Sequence, residues 1–281
     1  MFPGSLVAIV TPFNGKEHVD RLALEQFIDW QIHEGTEGIV CCGTTGEGTL
    51  LSDKERALVI ETCVAVADKR VPVLAGTGAM STKETVRLTE QAAELGVDGC
   101  LVVTPYYVRP SQEGLRLHYQ EVMKVGVPIV GYNNPSRAGV KLESGMGLAA
   151  VKDSGPVQKW SVPLICGEDG QLLESVRAGA IGAISVIGNV IPRQWRLLVD
   201  LALQGEWVEA EARMAQYQEL LGALYQTTNP QCVKALLNWM GKMTSPLRMP
   251  LVMPPPAVEA RLYLAFVRQF LPTFKRVRQS V

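Results

Sequence analysis

The segment GLAAVKDSG, residues 147–155, decides whether this protein folds as a closed barrel. Through GLAAV it can form one strand of a parallel sheet, with Lys152 at the carboxyl end of that strand. It can equally belong to a helix over LESGMGLAAVKDSG, because Leu, Ala and Lys favour helix locally. The segment by itself leaves both structures open, so the rest of the chain has to discriminate between them.

Seven other short apolar runs alternate with longer amphipathic stretches. The runs are SLVAIVTP from residue 5, GIVCCG from 38, PVLAGTG from 72, GCLVVTP from 99, PIVGYN from 128, PLICGED from 163 and GAISVIGN from 182. Strands that are apolar on both faces and alternate with helices indicate a parallel sheet covered by helices. A repeat of about 30 residues favours a (β/α)8 barrel. An open dinucleotide-binding sheet is disfavoured, because no GxGxxG follows the first strand.

Helical patterns fill the remaining chain. Two of them, SDKERALVIETCVAVADK and STKETVRLTEQAAELG, open on Ser with Glu three residues later, which is the signature of a capping box. Beyond residue 191 the pattern is purely helical, through 206–227, 231–241 and 256–272, with proline-rich joints. We therefore predict a barrel over residues 1–190, and the last barrel helix with a C-terminal helical appendage over 191–281.

The interval between residues 128 and 163 is too short for what a barrel requires of it. It must hold the eighth strand and two helices, yet it is no longer than one ordinary unit, so roughly twenty residues are lacking. If GLAAV is the strand, the preceding helix shrinks to a remnant, VKLESGMG. In the rival structure the strand is absent and residues 157–160 begin the next helix. Barrel closure favours the strand, in a shortened β6 region.

Composition excludes several classes of partner. The 27 basic and 28 acidic residues form no basic stripe, which argues against nucleic acid or an anionic membrane. No stretch approaches the roughly 20 apolar residues of a membrane span, and MFPGSLVAIVTPF lacks the features of a signal peptide. The six cysteines form no CxxC pair and the three histidines no metal-ligand spacing. We expect buried, reduced thiols, a cytoplasmic protein and no metal site.

The chemistry of a barrel of this kind lies in the loops after its strands. Hydroxyls, glycines and tyrosines follow these strands, together with Arg137. Each has an ordinary structural explanation when taken singly: GTTGEG is a tight turn without the lysine of a P-loop, Arg137 a surface residue, Tyr132 a core residue. The stretch TPYYVRPSQEG, residues 104–114, is harder to explain, because it exposes two phenols on a turn that prolines stiffen.

Taken together, these motifs carry a resemblance. The blocks are VAIVTPF, GTTGEGTLLS, VLAGTG, TPYYVRPSQEGL, YNNPSRAGV, CGEDG, GAISVIGNV, TNPQCVKALLNWMG and LRMPL. In this order they closely resemble the dihydrodipicolinate synthases, a family of the pyruvate-dependent class I aldolase superfamily that includes N-acetylneuraminate lyase. GTTGE, TPYYxRPSQEGL and YNxPSRxG are the specific motifs. The lyase relatives are expected to carry GSTGE and to lack the arginine, so the synthase branch fits best.

The resemblance implies a reaction and a set of roles. Pyruvate would form a Schiff base with a lysine, and the enamine would attack L-aspartate 4-semialdehyde to give 4-hydroxy-tetrahydrodipicolinate, in the diaminopimelate route to lysine. No metal or separate cofactor is implied, and the assembly would be a homotetramer or homodimer. The implied relay of protons consists of Tyr132, Thr44 and, from a neighbouring subunit, Tyr107. The implied substrate contacts are Thr45 with the pyruvate carboxylate, Arg137 with the semialdehyde carboxylate, and backbone near Gly167 and Ile184.

The lysine is where this sequence departs from the family. The family pattern is a strand that ends in [ILV]-K-[ED]-[AST]-[ST]-G, and AAVKDSG matches it with one residue missing before the glycine. The amine that the mechanism needs would then be Lys152, with Lys159 or a missing lysine as alternatives. The corresponding alternatives for function are an inactive relative, or an aldolase that acts on another aldehyde.

The resemblance also has implications for feedback inhibition by lysine. Sensitive relatives have a polar effector cleft at a subunit interface, where Tyr106 and Glu84 are retained here. Arg56 faces that cleft from a helix, and Met80 replaces an amide. A guanidinium repels the ammonium of lysine, and methionine cannot supply the lost hydrogen bonds. The sequence therefore predicts insensitivity to lysine.

Overall fold

Eight parallel strands close into a barrel in chain order, in a computed structural model that describes residues 2–270. The strands are β1 Gly4–Ala8, β2 Gly38–Cys41, β3 Val73–Gly76, β4 Gly99–Val103, β5 Ile129–Asn133, β6 Ala150–Asp153, β7 Leu164–Cys166 and β8 Ala180–Ser185. Closure leaves no sheet edge, so every strand finds hydrogen-bond partners on both sides. The predicted (β/α)8 class is confirmed.

Helices surround the barrel and extend it at the C-terminus. They are α1 Arg21–His33, α2 Asp53–Ala67, α3 Thr82–Glu94, α4 Gln112–Met123, α5 Pro135–Ala138, α6 Leu172–Arg177, α7 Pro192–Gln204, α8 Trp207–Leu224, α9 Gln231–Trp239 and α10 Pro256–Phe270. α7 packs on β1 as the last barrel helix, and α10 packs on α8 and α9. The last two positions of the helix predicted over 256–272 lie outside the described residues. Between residues 2 and 270, no helix combines the length and apolar character needed to cross a membrane.

The two predicted capping boxes differ in the structure. At the start of α2, the Ser52 side chain accepts from the Glu55 backbone, and the Glu55 carboxylate accepts from the Ser52 backbone at 2.9 Å. At the start of α3, Ser81 accepts from the Glu84 backbone. The Glu84 carboxylate instead binds Arg87, at 2.5 Å, so only half of the second box forms. A nearby guanidinium competes successfully for the capping carboxylate.

GLAAVKDSG contains the eighth strand. In β6, Lys152 lies in register with Tyr132 of β5 on one side and with Ile165 of β7 on the other. The rival helix over LESGMGLAAVKDSG is wrong. Without β6, the backbone groups of β5 and β7 that now face it would be buried without partners, and this cost outweighs local helix propensity.

The interval between residues 128 and 163 is short because its helices are reduced or absent, whereas its strand is kept. The connection from β5 to β6 keeps only α5, four residues long, and the connection from β6 to β7 has no helix. Leu142, Met146 and Leu148 cover the outside of the barrel there as an extended segment, and all three are buried. Gly131 allows this cover to lie close, because a β-carbon at that position would come within 2.5 Å of Leu148 Cδ1.

One carboxylate organises the helix-free connection after β6. Asp153 Oδ1 accepts from Asn133 Nδ2 and from the Gly155 backbone, both at 2.8 Å. Asp153 Oδ2 accepts from Gln158 Nε2 at 3.1 Å and from Trp160 Nε1 at 2.8 Å. One donor from the end of β5 and three from the connection itself thus hold residues 154–160 against the barrel. This carboxylate fixes the end of β6 where a helix would otherwise pack.

The cysteines are buried, free thiols. All six, at positions 41, 42, 63, 100, 166 and 232, are buried and unpaired in disulfides. Burial raises the pKa of Cys100 to about 12 and that of Cys166 to about 11. Thiols with such pKa values are poor nucleophiles at neutral pH, because the thiolate is the reactive form.

Candidate active site

A cavity of about 480 Å³ opens at the carboxyl ends of the strands. Six of the eight predicted site residues line it: Thr44, Thr45, Tyr132, Arg137, Lys152 and Gly167. They come from the ends of β2, β5, β6 and β7, and closure of the barrel brings these ends together. The predicted site residues therefore meet around one space, although they are spread over most of the barrel sequence.

Lys152 projects into this cavity from β6. Its neighbours Val151 and Asp153 face the outside of the barrel, since successive side chains of a strand alternate between its two faces. The Lys152 side chain is 5% exposed and its Nζ lies 4.5 Å from the centre of the Tyr132 ring. Lys159 is exposed on the helix-free connection and does not line the cavity. Of the two candidates, only Lys152 presents its amine to the other predicted residues.

Asn134 organises the strand end that carries Tyr132 and Arg137. Its Nδ2 donates to the Tyr132 hydroxyl at 2.8 Å, which leaves the hydroxyl hydrogen free to be donated. Its Oδ1 accepts from the Ser136 hydroxyl at 2.8 Å and from the Arg137 backbone at 3.2 Å, as the N-cap of α5. The Arg137 side chain is exposed and forms no ion pair within 4.0 Å to a carboxylate of residues 2–270. Its guanidinium is available to an anionic ligand.

The GTTGE turn after β2 presents two hydroxyls to the cavity. Thr45 is 2% exposed, and its hydroxyl oxygen accepts from Asn229 Nδ2 at 2.9 Å. The Thr45 hydrogen is then free to be donated to a ligand. Thr11 ties the turn to β1 by donating from its hydroxyl to the Gly46 carbonyl at 2.7 Å. A carboxylate is the group that such convergent donors suit.

A buried ion pair supports this turn from the C-terminal helices. Lys234 of α9 donates to Glu47 at 2.5 Å, and both side chains are completely buried. Glu47 also accepts from the Arg248 backbone at 3.0 Å and has a positive φ of 53°. Burial lowers the pKa of Lys234 to about 8, against the attraction of Glu47. The turn is thus held by a part of the chain that the sequence assigned only to an appendage.

The ends of β7 and β8 form another wall of the cavity. A β-carbon on Gly167 would come within 2.3 Å of Ser154 Oγ, so glycine permits the close approach of β7 to β6 there. Ile184 itself is not among the residues that line the cavity, and a substrate contact with backbone near it stays a prediction. Ile184 points into the fully buried barrel interior, and Val186, just beyond β8, forms the wall.

Two adjacent carboxylates after β7 have different environments. Asp169 Oδ2 accepts from the Val186 and Ile187 backbones, at 3.0 and 2.8 Å, and from the Tyr225 hydroxyl at 3.0 Å. Burial raises the pKa of Asp169 to about 6. Glu168 lines the cavity, where burial raises its pKa against the opposing charges of Lys152 and Arg137. Asp169 joins the barrel to α8, whereas Glu168 faces the ligand space.

Tyr107 lies outside the cavity, on the surface. Its side chain is 86% exposed, and its backbone φ is 71°. A non-glycine residue in the left-handed region costs on the order of 1–3 kcal/mol and persists where the surrounding structure imposes it. The predicted exposure of this phenol is confirmed, and its contact with a second subunit stays a prediction.

Arg56 is buried beside a second cavity of about 340 Å³, which Tyr106 also lines. Its guanidinium donates to the carbonyls of Gly76 and Gly48, both at 2.6 Å. Asp53, the other carboxylate Arg56 could reach along α2, pairs with Arg87 at 2.9 Å. The positive charge of Arg56 therefore stays at this cavity and is not neutralised by Asp53.

Several residues at the site were not predicted from the sequence. The loop after α8, residues 225–229, closes one side of the cavity, although its nearest strand end in the sequence is some forty residues earlier. Asn134 lies inside the motif YNNPSRAG, whose evident candidate for ligand binding is the arginine. The TNP of the block TNPQCVKALLNWMG was the available signal for Asn229. Each was missed because a hydrogen bond between distant segments leaves no periodicity in the sequence.

The arrangement can bind anions and form covalent bonds to carbonyl groups. An amine, a free guanidinium and several hydroxyls, those of Thr44, Thr45 and Tyr132 among them, converge on one space, and Glu168 supplies the one carboxylate that the described residues place there. Within residues 2–270, no group of three or more His, Cys, Asp or Glu side chains is arranged to hold a metal ion. An amine in such a pocket is suited to Schiff-base chemistry with a carbonyl substrate that bears a carboxylate.

A comparison with protein families matches nearly the whole chain. The model described as the dihydrodipicolinate synthetase family aligns with residues 1–152 and 157–262. The break falls directly after Lys152, in the helix-free connection that Asp153 organises. The match resumes before β7, so the shortened connection is where this chain departs from the family pattern.

Individual relatives agree with the family match. The 4-hydroxy-tetrahydrodipicolinate synthase of Syntrophus aciditrophicus is 43% identical over 270 residues, covering 89% of this chain and 92% of the relative. The dihydrodipicolinate synthase structure from Aquifex aeolicus has a TM-score of 0.92 at 35% identity, covering 96% and 98% of the two chains. The chloride-inhibited enzyme from Acinetobacter baumannii, complexed with pyruvate, has a TM-score of 0.92 at 34% identity, covering 96% and 99%.

Proposed function

The chain belongs to the dihydrodipicolinate synthetase family and is a lyase with the activity of 4-hydroxy-tetrahydrodipicolinate synthases, and we propose that it works through an imine between pyruvate and Lys152. The observation that carries the proposal is the position of Lys152. Its amine enters the barrel in register with Tyr132 and opens on the cavity shared with Arg137 and the GTTGE turn.

The proposed reaction has three parts. The Lys152 amine attacks the keto carbon of pyruvate, water leaves, and a protonated imine forms. Loss of a methyl proton gives an enamine, whose carbon attacks the aldehyde of L-aspartate 4-semialdehyde. Ring closure through the amine of the semialdehyde then releases 4-hydroxy-tetrahydrodipicolinate from the lysine. The imine nitrogen accepts the electron pair of the carbanion, so the reaction needs no further cofactor.

Hydroxyls move the protons in this proposal. Tyr132 accepts a hydrogen bond from Asn134 and keeps its own hydrogen for the relay. Thr44 lines the cavity beside it, and Tyr107 of a neighbouring copy completes the relay. A homotetramer or homodimer in the cytoplasm is proposed accordingly, since an exposed phenol on a strained, proline-flanked turn suits a contact across an interface.

Two groups are proposed to bind the two substrate carboxylates. Thr45 accepts from Asn229, so its hydrogen can be donated to the carboxylate of pyruvate. Arg137 has no carboxylate partner within 4.0 Å among residues 2–270, and its planar guanidinium can bind the semialdehyde carboxylate with two parallel hydrogen bonds.

The test separates this proposal from its alternatives. Purified protein should consume the semialdehyde only when pyruvate is present, and borohydride added with pyruvate should leave a stable mass increase on the peptide that contains Lys152. A catalytically inactive relative would show neither result. An aldolase that acts on another aldehyde would show the adduct without consumption of the semialdehyde.

Arg137→Ala should weaken binding of the semialdehyde and leave binding of pyruvate nearly unchanged. Loss of a charge-assisted pair costs about 1.5–3 kcal/mol, or roughly a 10- to 100-fold rise in the KM for the semialdehyde. Steady-state kinetics with each substrate varied in turn measures the effect, and Arg137→Lys should recover part of it. A larger change in the KM for pyruvate than in that for the semialdehyde would contradict the assignment.

L-lysine should not inhibit the enzyme. Arg56 keeps its positive charge at the second cavity, where repulsion of an approaching ammonium amounts to about 1 kcal/mol or more at 4 Å. Met80 is half-exposed and offers no hydrogen bond, and Glu84 already pairs with Arg87. Initial rates with L-lysine titrated into the millimolar range should stay flat, as with L-alanine as a control. Clear partial inhibition by lysine alone would show this prediction to be wrong.

A further inference from the structure

One carboxylate at the cavity has no role among those proposed for the condensation of pyruvate with the semialdehyde. Among the described residues that line the cavity, Glu168 alone carries a carboxylate. It follows β7, is half-buried, and shares the cavity with the cations of Lys152 and Arg137. Neither cation forms an ion pair with it within 4.0 Å, and all three groups line the same cavity.

The neighbouring carboxylate shows what a structural role looks like at this position. Asp169 is 2% exposed and accepts three hydrogen bonds, from two backbone amides and from Tyr225. Glu168 has no such set of donors. Burial favours its protonated form despite the two cations nearby, which raises its pKa. A carboxylate with a raised pKa is a stronger base than an exposed one, which suits it to accept a proton from a ligand.

The positive charge of the second substrate has no partner among the residue roles proposed above. L-aspartate 4-semialdehyde carries an α-ammonium beside the carboxylate that Arg137 is proposed to bind. Resting on that proposed function, we propose that Glu168 binds this ammonium group and then removes one proton from it to start ring closure. A carboxylate and a guanidinium that line the same cavity would thus recognise both charges of an amino acid, and Glu168 would select aldehydes that carry the amine.

Ring closure requires the proton transfer. After the carbon–carbon bond forms, the intermediate holds a protonated imine to Lys152 and, four carbons away, the ammonium. Glu168 takes one proton, and the resulting amine attacks the imine carbon. The bond from that carbon to the lysine nitrogen breaks as protons move from the ring nitrogen to the lysine. The products are the cyclic imine and a lysine ammonium, and Glu168 returns its proton to water.

Glu168→Gln removes the charge and the base while keeping the size of the side chain. We expect kcat/KM for the semialdehyde to fall roughly 10- to 100-fold through lost binding alone, with a further loss in kcat. The deficit should shrink as pH rises, because the ammonium then loses its proton to water. With 4-oxobutanoate, which lacks the amine, addition to the pyruvate enamine should proceed at the wild-type rate. Glu168→Asp should restore part of the activity.

Trapping provides the second measurement. With borohydride, pyruvate and the semialdehyde, Glu168→Gln should accumulate the open-chain condensation product on Lys152, whereas the wild type should show mainly the pyruvate adduct. Wild-type kcat/KM in Glu168→Gln, an equal loss with 4-oxobutanoate, or no pyruvate adduct in the variant would each overturn the proposal. If the wild type itself does not consume the semialdehyde, the proposed function fails instead.

Discussion

Lys152→Arg should abolish the pyruvate adduct and lower kcat by at least about 10⁴-fold, because it removes the covalent nucleophile. Arginine has a similar length and keeps the positive charge, but its guanidinium stays protonated in proteins and cannot attack a ketone. Lys152 is 5% exposed in β6, between Tyr132 and Ile165 of the adjacent strands, so a side chain of similar volume is the least disruptive choice. Borohydride trapping followed by intact mass measures the adduct, and coupled consumption of the semialdehyde measures the rate.

Lys159→Arg is the matched control. Lys159 is exposed on the connection after β6, seven positions along the chain, and its replacement should change neither the adduct nor the rate. An adduct that persists in Lys152→Arg, or that maps to the peptide containing Lys159 in the wild type, would remove Lys152 from the mechanism. Circular dichroism of both variants shows whether the barrel is intact.

Lys234→Met should reduce the free energy of unfolding by about 3–5 kcal/mol, because it leaves the Glu47 carboxylate buried without its partner. Both side chains of this pair are completely buried, and Lys234 also lies 4.2 Å from the centre of the Phe13 ring. Methionine fills the same space without the charge. Activity should fall as well, since Glu47 belongs to the turn that carries Thr44 and Thr45. Denaturant unfolding gives the free energy, and the KM for pyruvate reports the turn.

A double variant tests whether the cost comes from the unpaired charge. Glu47→Gln with Lys234→Met removes both charges and should be more stable than Lys234→Met alone, because no buried ion is left without a partner. Lys124→Met is the matched surface control: Lys124 pairs with Glu121 at 2.6 Å on an exposed helix face. Such pairs contribute about 0–1 kcal/mol. A double variant that is no more stable than Lys234→Met alone would contradict the explanation.

The sequence by itself determined the class of fold and most of the site. Alternating strands and helices encode a barrel, because periodicity is a local property that a chain shows before it folds. The same strands end in GTTGE, YNNPSR and AAVKDSG, and the barrel topology requires their carboxyl ends to meet. Tyr132 and Thr44 could therefore be placed at one site from the sequence, whereas Lys152 joined them only on condition that GLAAV formed a strand.

The choice between helix and strand at GLAAVKDSG belonged to tertiary structure. Local propensity is worth only a few tenths of a kcal/mol per residue, whereas an open barrel would leave two strand edges without hydrogen-bond partners. Because closure requires an eighth strand, the segment forms β6. The helix before it is reduced to α5, and the helix after it is absent. Leu142 and Leu148 cover the barrel wall, and Asp153 takes over the connection with Trp160.

Only the folded molecule shows how the site is supported. Lys234 meets Glu47 across 187 residues of sequence, and Asn229 meets Thr45 across 184. The two residues of each pair lie in segments far apart in the sequence, and neither segment by itself indicates that the contact exists. Local sequence fixes which side chains each strand end offers. The packing of distant segments fixes which of them are held, neutralised, or left free for substrate.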